Sequence, residues 1–529
     1  MKACRRRPTA LAFGIAAALV TLLIPGAGLA SQGSEWNSAG GDRQNTRYQG
    51  SEHTLSAANV GGLAVEWALT TAGDVSATPA VDADTVYAPD WAGNLYAVDK
   101  LTGAVKWTVS IPAASGVFLD KARATPAVTA DKVIVGTQGG ILFGGGAGAK
   151  LLAFDKSTGA LVWSTQLDSH PAAIVTQSAT VFDGRVYVGV ASQEEALAAF
   201  VPGYTLSFRG SMLAVDAATG AILWKTYTAP LGYTGNAVWG SSPAIDTKRG
   251  QVYIGTGNNY SVPSDVLACV AAAGEDPAAQ SACLAPDDFV DSVMALDMRT
   301  GAVRWSTRAI PYDAWTVACI PFFGDGENCP DPAGPDYDFG QAPALFSAND
   351  GKGRPIELVG AGQKSGQYWA LDPTSGAVRW VTQAGPGGTA GGLQWGSAVD
   401  GTRVYTADAN SNFAPWTLPD GSTTTEGVWT GLDAATGEIL WEHVPSHGGS
   451  TSGPVTTANG VVYGCSLDPL GHMYALDAAT GAELWSYPSG GSCLSGAAIS
   501  DGMLFWGSGY SNFGFGTPNH KLYAFGLPG

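Results

Sequence analysis

Short apolar stretches separated by polar turns recur along the whole chain. One pattern appears seven times: an alternating apolar strand, then Asp-x-x-(Thr/Ser)-Gly, then a second strand that closes on tryptophan. Glycine supplies a positive φ, and Asp or Thr side chains bond nearby amides, so the pattern predicts a β-hairpin. The seven copies end at Trp107, Trp163, Trp224, Trp305, Trp380, Trp441 and Trp485.

A second pair of short strands precedes the hairpins, as at 76–90, 123–137, 241–257 and 452–464. Four antiparallel strands per repeat are typical of propeller blades. The C-terminal "KLYAFGLPG" lacks its turn and closing tryptophan, and "GGLAVEW" at 61–67 supplies the missing outer strand. The sequence therefore predicts an all-β fold, an eight-bladed β-propeller of four-stranded antiparallel blades, closed by pairing its N- and C-terminal segments.

The long insertions all fall in two kinds of connection, namely the loop between a blade's second and third strands and the link from a fourth strand to the next blade. They are 190–210, 258–292, 306–340 and 411–427. Because strands alternate in direction, both kinds of connection lie on the same face of a propeller. We therefore expect one plain face and one elaborated face, with the functional site on the elaborated one.

The N-terminus has a basic start, a short apolar run and small residues before position 31, which is the anatomy of a secretory signal. We expect residues 1–30 to be a signal peptide and 31–529 the propeller, in a periplasmic or secreted protein. The apolar run is too short for a spanning helix, so no membrane span is expected. The formal net charge is −18, which argues against a nucleic-acid partner.

Six cysteines follow the signal region. An even number in an exported chain favours disulfides, and neighbours in sequence give the pairs Cys269–Cys283, Cys319–Cys329 and Cys465–Cys493. The absence of C-x-x-C and C-x-x-C-H argues against a zinc ribbon and a covalently attached haem.

The repeat, together with "WNSAGGDRQNTRY" at 36–48, resembles the eight-bladed quinoprotein alcohol dehydrogenases, which bind pyrroloquinoline quinone (PQQ) on Ca²⁺. The resemblance covers essentially the whole chain after residue 30. The stretches "QKSGQYWALD" (363–372) and "YDAWTVAC" (312–319) are most similar to the polyvinyl-alcohol dehydrogenase branch. The resemblance implies hydride transfer from an alcohol to PQQ. With no haem site encoded, it implies electron transfer to a separate soluble cytochrome c.

The resemblance also implies site residues. The family's metal-binding glutamate falls on Glu194 or Glu195, and its metal-binding asparagine on Asn258. A carboxylate and an amide oxygen, joined by cofactor oxygens, suit Ca²⁺. The tryptophan under the quinone ring falls on Trp239, and the cation at the quinone oxygens falls on Lys364. Further cofactor-binding positions correspond to Arg123 and Thr176, and more loosely to Gln394 and Trp395.

The sequence departs from the family pattern in two places, and the first of them concerns the catalytic base. The family's catalytic aspartate directly follows the tryptophan of its motif, and here that position is Thr316. The nearby carboxylate is Asp313, which we predict as the base and as a further metal candidate. The family's adjacent cysteine pair is also absent, and 114–122 occupies that region.

Each residue also has a structural alternative: Trp239 as packing between blades, Asn258 as a turn residue, Glu194 and Glu195 as a solvated pair, and Lys364 as an exposed cation. The alternative functions are a cofactor-free scaffold for protein binding in the cell envelope, and a PQQ dehydrogenase for a sugar or a small primary alcohol. A nicotinamide enzyme is disfavoured because the glycine-rich 139–150 lies inside a β-repeat and not between a strand and a helix.

Overall fold

The computed structural model describes residue 1 and residues 34–321, 326–350 and 352–529. The predicted signal peptide lies almost wholly outside the described residues.

Eight antiparallel sheets form the body of the molecule. Their strands, in order from the axis outward, are as follows. Blade 1 contains Ala80–Val81, Thr85–Pro89, Asn94–Asp99 and Val105–Ser110; blade 2 contains Ala127–Val128, Lys132–Gly136, Ala149–Asp155 and Leu161–Asp168. Blade 3 contains Ala173–Ile174 and Thr180–Phe182, both paired with Arg185–Ser192, then Ser211–Asp216 and Ile222–Tyr227. Blade 4 contains Ala244–Asp246, Gln251–Gly255, Ser292–Asp297 and Val303–Arg308; blade 5 contains Ala344–Asn349, Pro355–Gly362, Gln367–Leu371 and Val378–Gln383. Blade 6 contains Ala398–Val399, Arg403–Asp408, Val428–Asp433 and Ile439–His443; blade 7 contains Thr456–Ala458, Val461–Cys465, His472–Asp477 and Glu483–Pro488.

Blade 8 is shared between the two ends of the chain. Ala498–Ser500, Met503–Ser508 and Lys521–Gly526 are its inner strands, and Ala64–Thr70 is its outer strand. The outer strand pairs antiparallel with Lys521–Gly526, with Trp67 opposite Ala524. The predicted eight-bladed propeller and its mode of closure are confirmed.

The repeated Trp and Gly residues join neighbouring blades. The indole N–H of Trp107 donates to the carbonyl of Lys156 in the next blade at 3.0 Å. Gly159, at φ +73°, lies so close to the Trp107 ring that a Cβ would stand about 3.0 Å from it. Glycine is therefore required twice, by the turn and by the stacked indole, which explains why the two residues recur together.

Residues 36–49, here called the N-terminal plug, cross the axial channel at the plain face. Their backbone, and the side chain of Gln49, make hydrogen bonds to the ends of the innermost strands of seven blades. The strand residues bonded are Val81, Val128, Ile245, Leu345, Val399, Thr457 and Ile499. The plug therefore closes one end of the channel and leaves the elaborated face as the open end.

The insertions on the elaborated face carry most of the remaining structure. The helices are α1 (Ile111–Ser115), α2 (Ile141–Gly144), α3 (Glu194–Phe200), α4 (Ser264–Ala273) and α5 (Pro277–Cys283). Single 3-10 turns are Val60–Gly62, Val317–Cys319 and Asn512–Gly514. Two small sheets pair Thr234–Gly235 with Asn259–Ser261 and Trp416–Thr417 with Thr423–Thr424.

All three predicted disulfides are present: Cys269–Cys283, Cys319–Cys329 and Cys465–Cys493. The first joins α4 to α5, and the second lies within the 306–340 insertion. None of the helices in the described parts of the chain is both long and apolar enough to cross a membrane.

Candidate functional site

A cavity of about 200 Å³ opens near the propeller axis on the elaborated face. Six of the ten residues predicted from the sequence line it: Arg123, Thr176, Glu195, Trp239, Lys364 and Trp395. Ser192, Tyr260 and Asp338 are further polar residues of its wall, and none of them was predicted. Side chains from blades far apart in sequence thus converge on one space.

Two tryptophans form the flat part of the wall. The rings of Trp239 and Trp395 stand 5.2 Å apart between centroids, nearly perpendicular at 75°. The hydroxyl of Thr176 donates to the carbonyl of Trp239 at 2.9 Å, and the guanidinium of Arg123 lies 4.8 Å from the Trp395 ring centroid. Trp395 adopts φ +62°, a conformation that costs a bulky residue on the order of 1–3 kcal/mol. The two indoles meet edge to face and form an aromatic corner, with a cation over Trp395.

Lys364 provides a second cation. Its ammonium lies 2.8 Å from Oδ1 of Asp336, 3.2 Å from Oδ2 of Asp338, and 5.6 Å from the Trp239 ring centroid. Burial disfavours the charged ammonium, but Asp336, Asp338 and Glu195 more than offset it and hold the pKa of Lys364 well above its ordinary value. Lys364 is therefore a fixed cation at the site, and it is not the exposed surface lysine of the structural alternative.

Asp338 connects the aromatic wall to the polar wall. Its Oδ2 accepts from the indole N–H of Trp239 at 2.9 Å, and its Oδ1 accepts from the backbone N–H of Asn258 at 2.7 Å. Trp239 is thus held by a specific polar contact, unlike the repeat tryptophans that bond to a neighbouring blade's backbone. The alternating acids of "DYDFG" (336–340), at the end of the long 306–340 insertion, were the sequence signal for Asp336 and Asp338.

Glu194 and Glu195 begin α3 and face opposite environments. The carboxylate of Glu194 is fully buried and accepts hydrogen bonds from Tyr204, Ser207 and Phe208. Burial opposes its ionisation, but His170 and the amides of Phe208 and Ser207 hold the pKa of Glu194 below its ordinary value. Glu194 therefore pins the 201–210 loop and does not line the cavity.

Glu195 lines the cavity, and its Oε1 has no hydrogen-bond partner among the described residues. Burial raises its pKa to about 7, against the opposing charge of Lys364. A buried carboxylate oxygen with no donor is ready for a cation. Of the two neighbouring glutamates, the structure thus presents Glu195 to the site.

Asn258 lies behind the wall with its amide held in one orientation. Its Nδ2 donates to the carbonyls of Asn259 and Trp315 at 3.0 and 2.8 Å. Since both N–H groups are used, Oδ1 is the atom available to a ligand. Asn258 therefore suits the amide-oxygen position expected of it better than a plain turn position.

Asp313 has a different environment from the one expected of a base. It is fully buried, is not part of the cavity wall, and its two oxygens accept from the backbone N–H groups of Asp336 and Tyr337 at 3.1 and 2.7 Å. Burial raises its pKa to about 6, against these two hydrogen bonds. Asp313 therefore clamps the loop that carries Asp336 and Asp338 and does not itself reach the cavity wall.

Thr316, at the position of the family's aspartate, and the predicted residue Gln394 are also set back from the cavity. The hydroxyl of Thr316 donates to the carbonyl of Asn328 at 2.9 Å. Gln394 packs against Gly340 behind Trp395 and does not form part of the wall. Both support the shell around the cavity.

A metal ion at this site would need oxygens from more than one source. Within the described ranges no group of three or more acidic, histidine or cysteine side chains is arranged to hold a metal ion by itself. The Oε1 of Glu195, which has no partner among the described residues, and the Oδ1 of Asn258, whose two amide N–H groups are engaged by carbonyls, fit a hard cation that also takes oxygens from a bound cofactor. The donor set thus agrees with a shared metal and cofactor site.

Comparisons with known proteins identify relatives of the chain. A family model described as "Outer membrane protein assembly factor BamB" matches residues 41–307 and 364–524. Polyvinylalcohol dehydrogenase of Sphingopyxis sp. (strain 113P3) is 31% identical over 94% of this chain and 77% of that relative. Polyvinylalcohol dehydrogenase of a Pseudomonas sp. is 30% identical over 90% of this chain and 73% of the relative. The crystal structure of quinohemoprotein alcohol dehydrogenase from Comamonas testosteroni has a TM-score of 0.67 at 21% identity, covering 94% of this chain and 81% of that one, which shows a shared fold.

Proposed function

The chain belongs to the family of PQQ-dependent quinoprotein alcohol dehydrogenases, and from that premise we propose that it oxidises the secondary alcohol groups of polyvinyl alcohol or a similar polymer with PQQ and Ca²⁺. The observation that carries the proposal is the cavity itself. It combines an aromatic corner, a fixed ammonium and a carboxylate oxygen that has no donor among the described residues, and the oriented amide of Asn258 lies behind its wall. A cofactor-free scaffold would need none of these together.

In this proposal Trp239 and Trp395 hold the flat ring system, and Arg123 and Thr176 bind its polar edge. Glu195 and Asn258 hold the metal ion. When bound, PQQ supplies the two-electron acceptor, and the metal ion polarises the carbonyl that is reduced. Lys364 stabilises negative charge that develops on the acceptor side, because it is a permanent cation fixed above Trp239.

We assign the general base to Asp338. It is a carboxylate in the cavity wall, and its bonds to Trp239 and Asn258 fix its direction. The ammonium of Lys364 lies 3.2 Å from Oδ2 of Asp338, so the carboxylate that takes the alcohol proton lies beside a fixed cation. Asp336 shares the same ammonium, and burial raises its pKa well above the ordinary value, against the charge of Lys364. Asp336 thus suits a proton reservoir beside the base.

An apolar groove beside the site supports a polymeric substrate. The loop after α1 and the helix α2 line a groove of about 500 Å³ that includes Val117, Phe118, Leu119, Ile141 and Leu142. Phe118 is 83% exposed, and the loop containing it leads directly to Arg123. A carbon backbone bearing spaced hydroxyls matches apolar contacts outside the cavity and a polar site within it.

A soluble cytochrome c in the periplasm or outside the cell is the proposed electron acceptor. The reasons are the signal-like N-terminus and the absence of a C-x-x-C-H haem motif in the sequence.

The test is reconstitution of the purified protein with PQQ and Ca²⁺, followed by dye reduction with polyvinyl alcohol, 2-propanol, ethanol and glucose. We expect the polymer and 2-propanol to be oxidised faster than ethanol or glucose. Faster oxidation of ethanol or glucose would indicate a small primary alcohol or a sugar as the substrate instead. Failure to oxidise any of these alcohols would contradict the proposal.

A further inference from the structure

Arg47 is a buried cation on the propeller axis. It belongs to the N-terminal plug, its side chain is 2% exposed, and it lines a small cavity of about 40 Å³. The cavity lies between the plug and the elaborated face, since its other walls are the segments that precede the innermost strands. Arg47 thus points from the closed end of the channel toward the open end.

The guanidinium of Arg47 lacks a compensating charge. Its Nε and Nη1 have no hydrogen-bond partner within the described part of the chain, and Nη2 makes one long contact, 3.4 Å, to the carbonyl of Trp395. No carboxylate is found among the described residues that line the cavity. Burial lowers the pKa of Arg47 to about 9, so the side chain remains a cation at neutral pH. An unpaired buried charge of this kind is costly.

The surrounding backbone is shaped to keep this cation in place. A Cβ on Gly396, which adopts φ +138°, would lie 2.2 Å from Nε of Arg47. A Cβ on Gly496 would lie 3.4 Å from Nη1. Glycine thus occupies two positions beside the guanidinium where any side chain would crowd it. This leaves space for the guanidinium and for a bound ligand.

The rest of the cavity wall has the chemistry of an anion site. A second guanidinium, that of Arg123, lies in the wall, together with the hydroxyl residues Thr78, Thr125 and Ser178. Two cations, several hydroxyl groups and no acid favour a small anion over a neutral ligand. The volume of about 40 Å³ exceeds that of a single water site, which needs about 10–15 Å³.

We propose that Arg47 is the floor of a buried anion-binding site on the propeller axis, which takes one carboxylate-sized or halide-sized anion. The site shares Arg123, Thr176 and Trp395 with the cofactor cavity. The anion is therefore either a carboxylate group of the bound cofactor or a free small anion such as chloride. The first source rests on the proposed function, whereas the anion site itself does not.

The first experiment uses the apo protein and chloride. Thermal unfolding is followed while chloride replaces gluconate at constant ionic strength, in the wild type and in Arg47→Met, which keeps length and removes charge. We expect chloride to raise the Tm of the wild type by several degrees and to leave that of Arg47→Met unchanged. If Arg47→Met does not fold, Arg47→Lys serves, with a weaker chloride response expected.

The second experiment measures PQQ affinity by absorbance titration with Ca²⁺ present, with and without chloride. A cofactor carboxylate at Arg47 predicts at least tenfold weaker PQQ binding in Arg47→Met and competition by chloride in the wild type. A free anion predicts the chloride response without competition. Equal chloride response and equal PQQ affinity in the wild type and the variant would mean that only water occupies the cavity and would overturn the site. Loss of PQQ binding in the wild type would count against the proposed function alone, because the chloride experiment does not involve PQQ.

Discussion

Lys364 and Asp338 are joined twice. The ammonium of Lys364 lies 3.2 Å from Oδ2 of Asp338, and the backbone N–H of Lys364 donates to the carbonyl of Asp338 at 2.9 Å. The backbone hydrogen bond joins the two chain segments independently of the side-chain conformations. A cation and a carboxylate are therefore held side by side at the cavity wall.

Replacing Asp338 tests its assignment as the base. Asp338→Asn retains an acceptor for Trp239 or Asn258 but cannot take a proton, so we expect kcat to fall about 100-fold or more while PQQ still binds. Asp313→Asn is the matched control. In this variant one of the two backbone N–H groups that now donate to Asp313 would face the NH₂ group of the asparagine. We expect this to lower the free energy of unfolding by about 1–3 kcal/mol and to leave kcat within a few-fold of the wild-type value. Full activity in Asp338→Asn together with loss in a folded, PQQ-binding Asp313→Asn would return the base to Asp313.

Substitutions of the neighbouring residues Glu194 and Glu195 are expected to affect different properties, stability in the first case and metal binding in the second. We expect Glu195→Gln to raise the Ca²⁺ concentration needed for PQQ binding at least tenfold, because it removes the charge of the unpartnered oxygen. Glu194→Gln is expected to leave that concentration unchanged and to reduce stability by about 1–3 kcal/mol, since its carboxylate holds the 201–210 loop. Calcium titration of PQQ binding and chemical unfolding measure the two effects, and a Ca²⁺ effect confined to Glu194→Gln would reverse the assignment.

Asp408 predicts a pH dependence of stability. It is fully buried at the end of a blade 6 strand and accepts from the backbone of Gly387 and Asn410. Burial raises its pKa to about 7, above the value near 4 of an unfolded chain. The folded state thus favours the protonated acid, so this contribution to stability is complete below about pH 4 and is lost as the pH rises through 7.

Asp408→Asn should remove that contribution, because a neutral amide still accepts both N–H groups. We expect the stability of the wild type, relative to the variant, to fall by up to about 4 kcal/mol between pH 4 and 8. Urea unfolding of both proteins across this range gives the difference. Parallel pH profiles would show that Asp408 is already ionised at pH 4.

The apolar groove predicts a substrate-length effect. Phe118→Ser is expected to raise KM for polyvinyl alcohol several-fold and to leave KM for 2-propanol unchanged, because only a long chain reaches the groove. Leu101→Ser is the control, since Leu101 is 73% exposed in a turn on the plain face. Equal effects of Phe118→Ser on both substrates would exclude the groove as a polymer contact.

The periodic parts of the molecule could be predicted from the sequence because each repeat encodes its own local structure. The Asp-x-x-Thr-Gly segment specifies the hairpin turn, and its glycine, as at Gly159, leaves the space in which the indole of the preceding repeat packs. The incomplete last repeat and the extra strand ending near Trp67 were enough to predict the shared blade. The disulfides followed from sequence proximity, since each pair closes a short loop.

The site was only partly predictable, because its geometry is set by contacts distant in sequence. Two adjacent glutamates cannot be distinguished until α3 turns one toward Ser207 and the other toward Lys364. Asp313 lies next to a motif tryptophan in sequence, yet its carboxylate is engaged by a loop more than 20 residues later. The alternating acids of "DYDFG" mark Asp336 and Asp338 in the sequence, but their place beside Lys364 appears only when the backbone N–H of Lys364 is paired with the carbonyl of Asp338.

The central claim is that the cavity between Trp239 and Lys364 binds PQQ and presents it to an alcohol. The most direct measurement is an absorbance titration of PQQ into the purified protein with Ca²⁺, followed by anaerobic addition of 2-propanol. We predict saturable binding of one PQQ per chain, dependence on Ca²⁺, and reduction of the bound quinone by the alcohol in a single turnover. Absence of saturable binding in the presence of Ca²⁺, or bound PQQ that no alcohol reduces, would contradict the account.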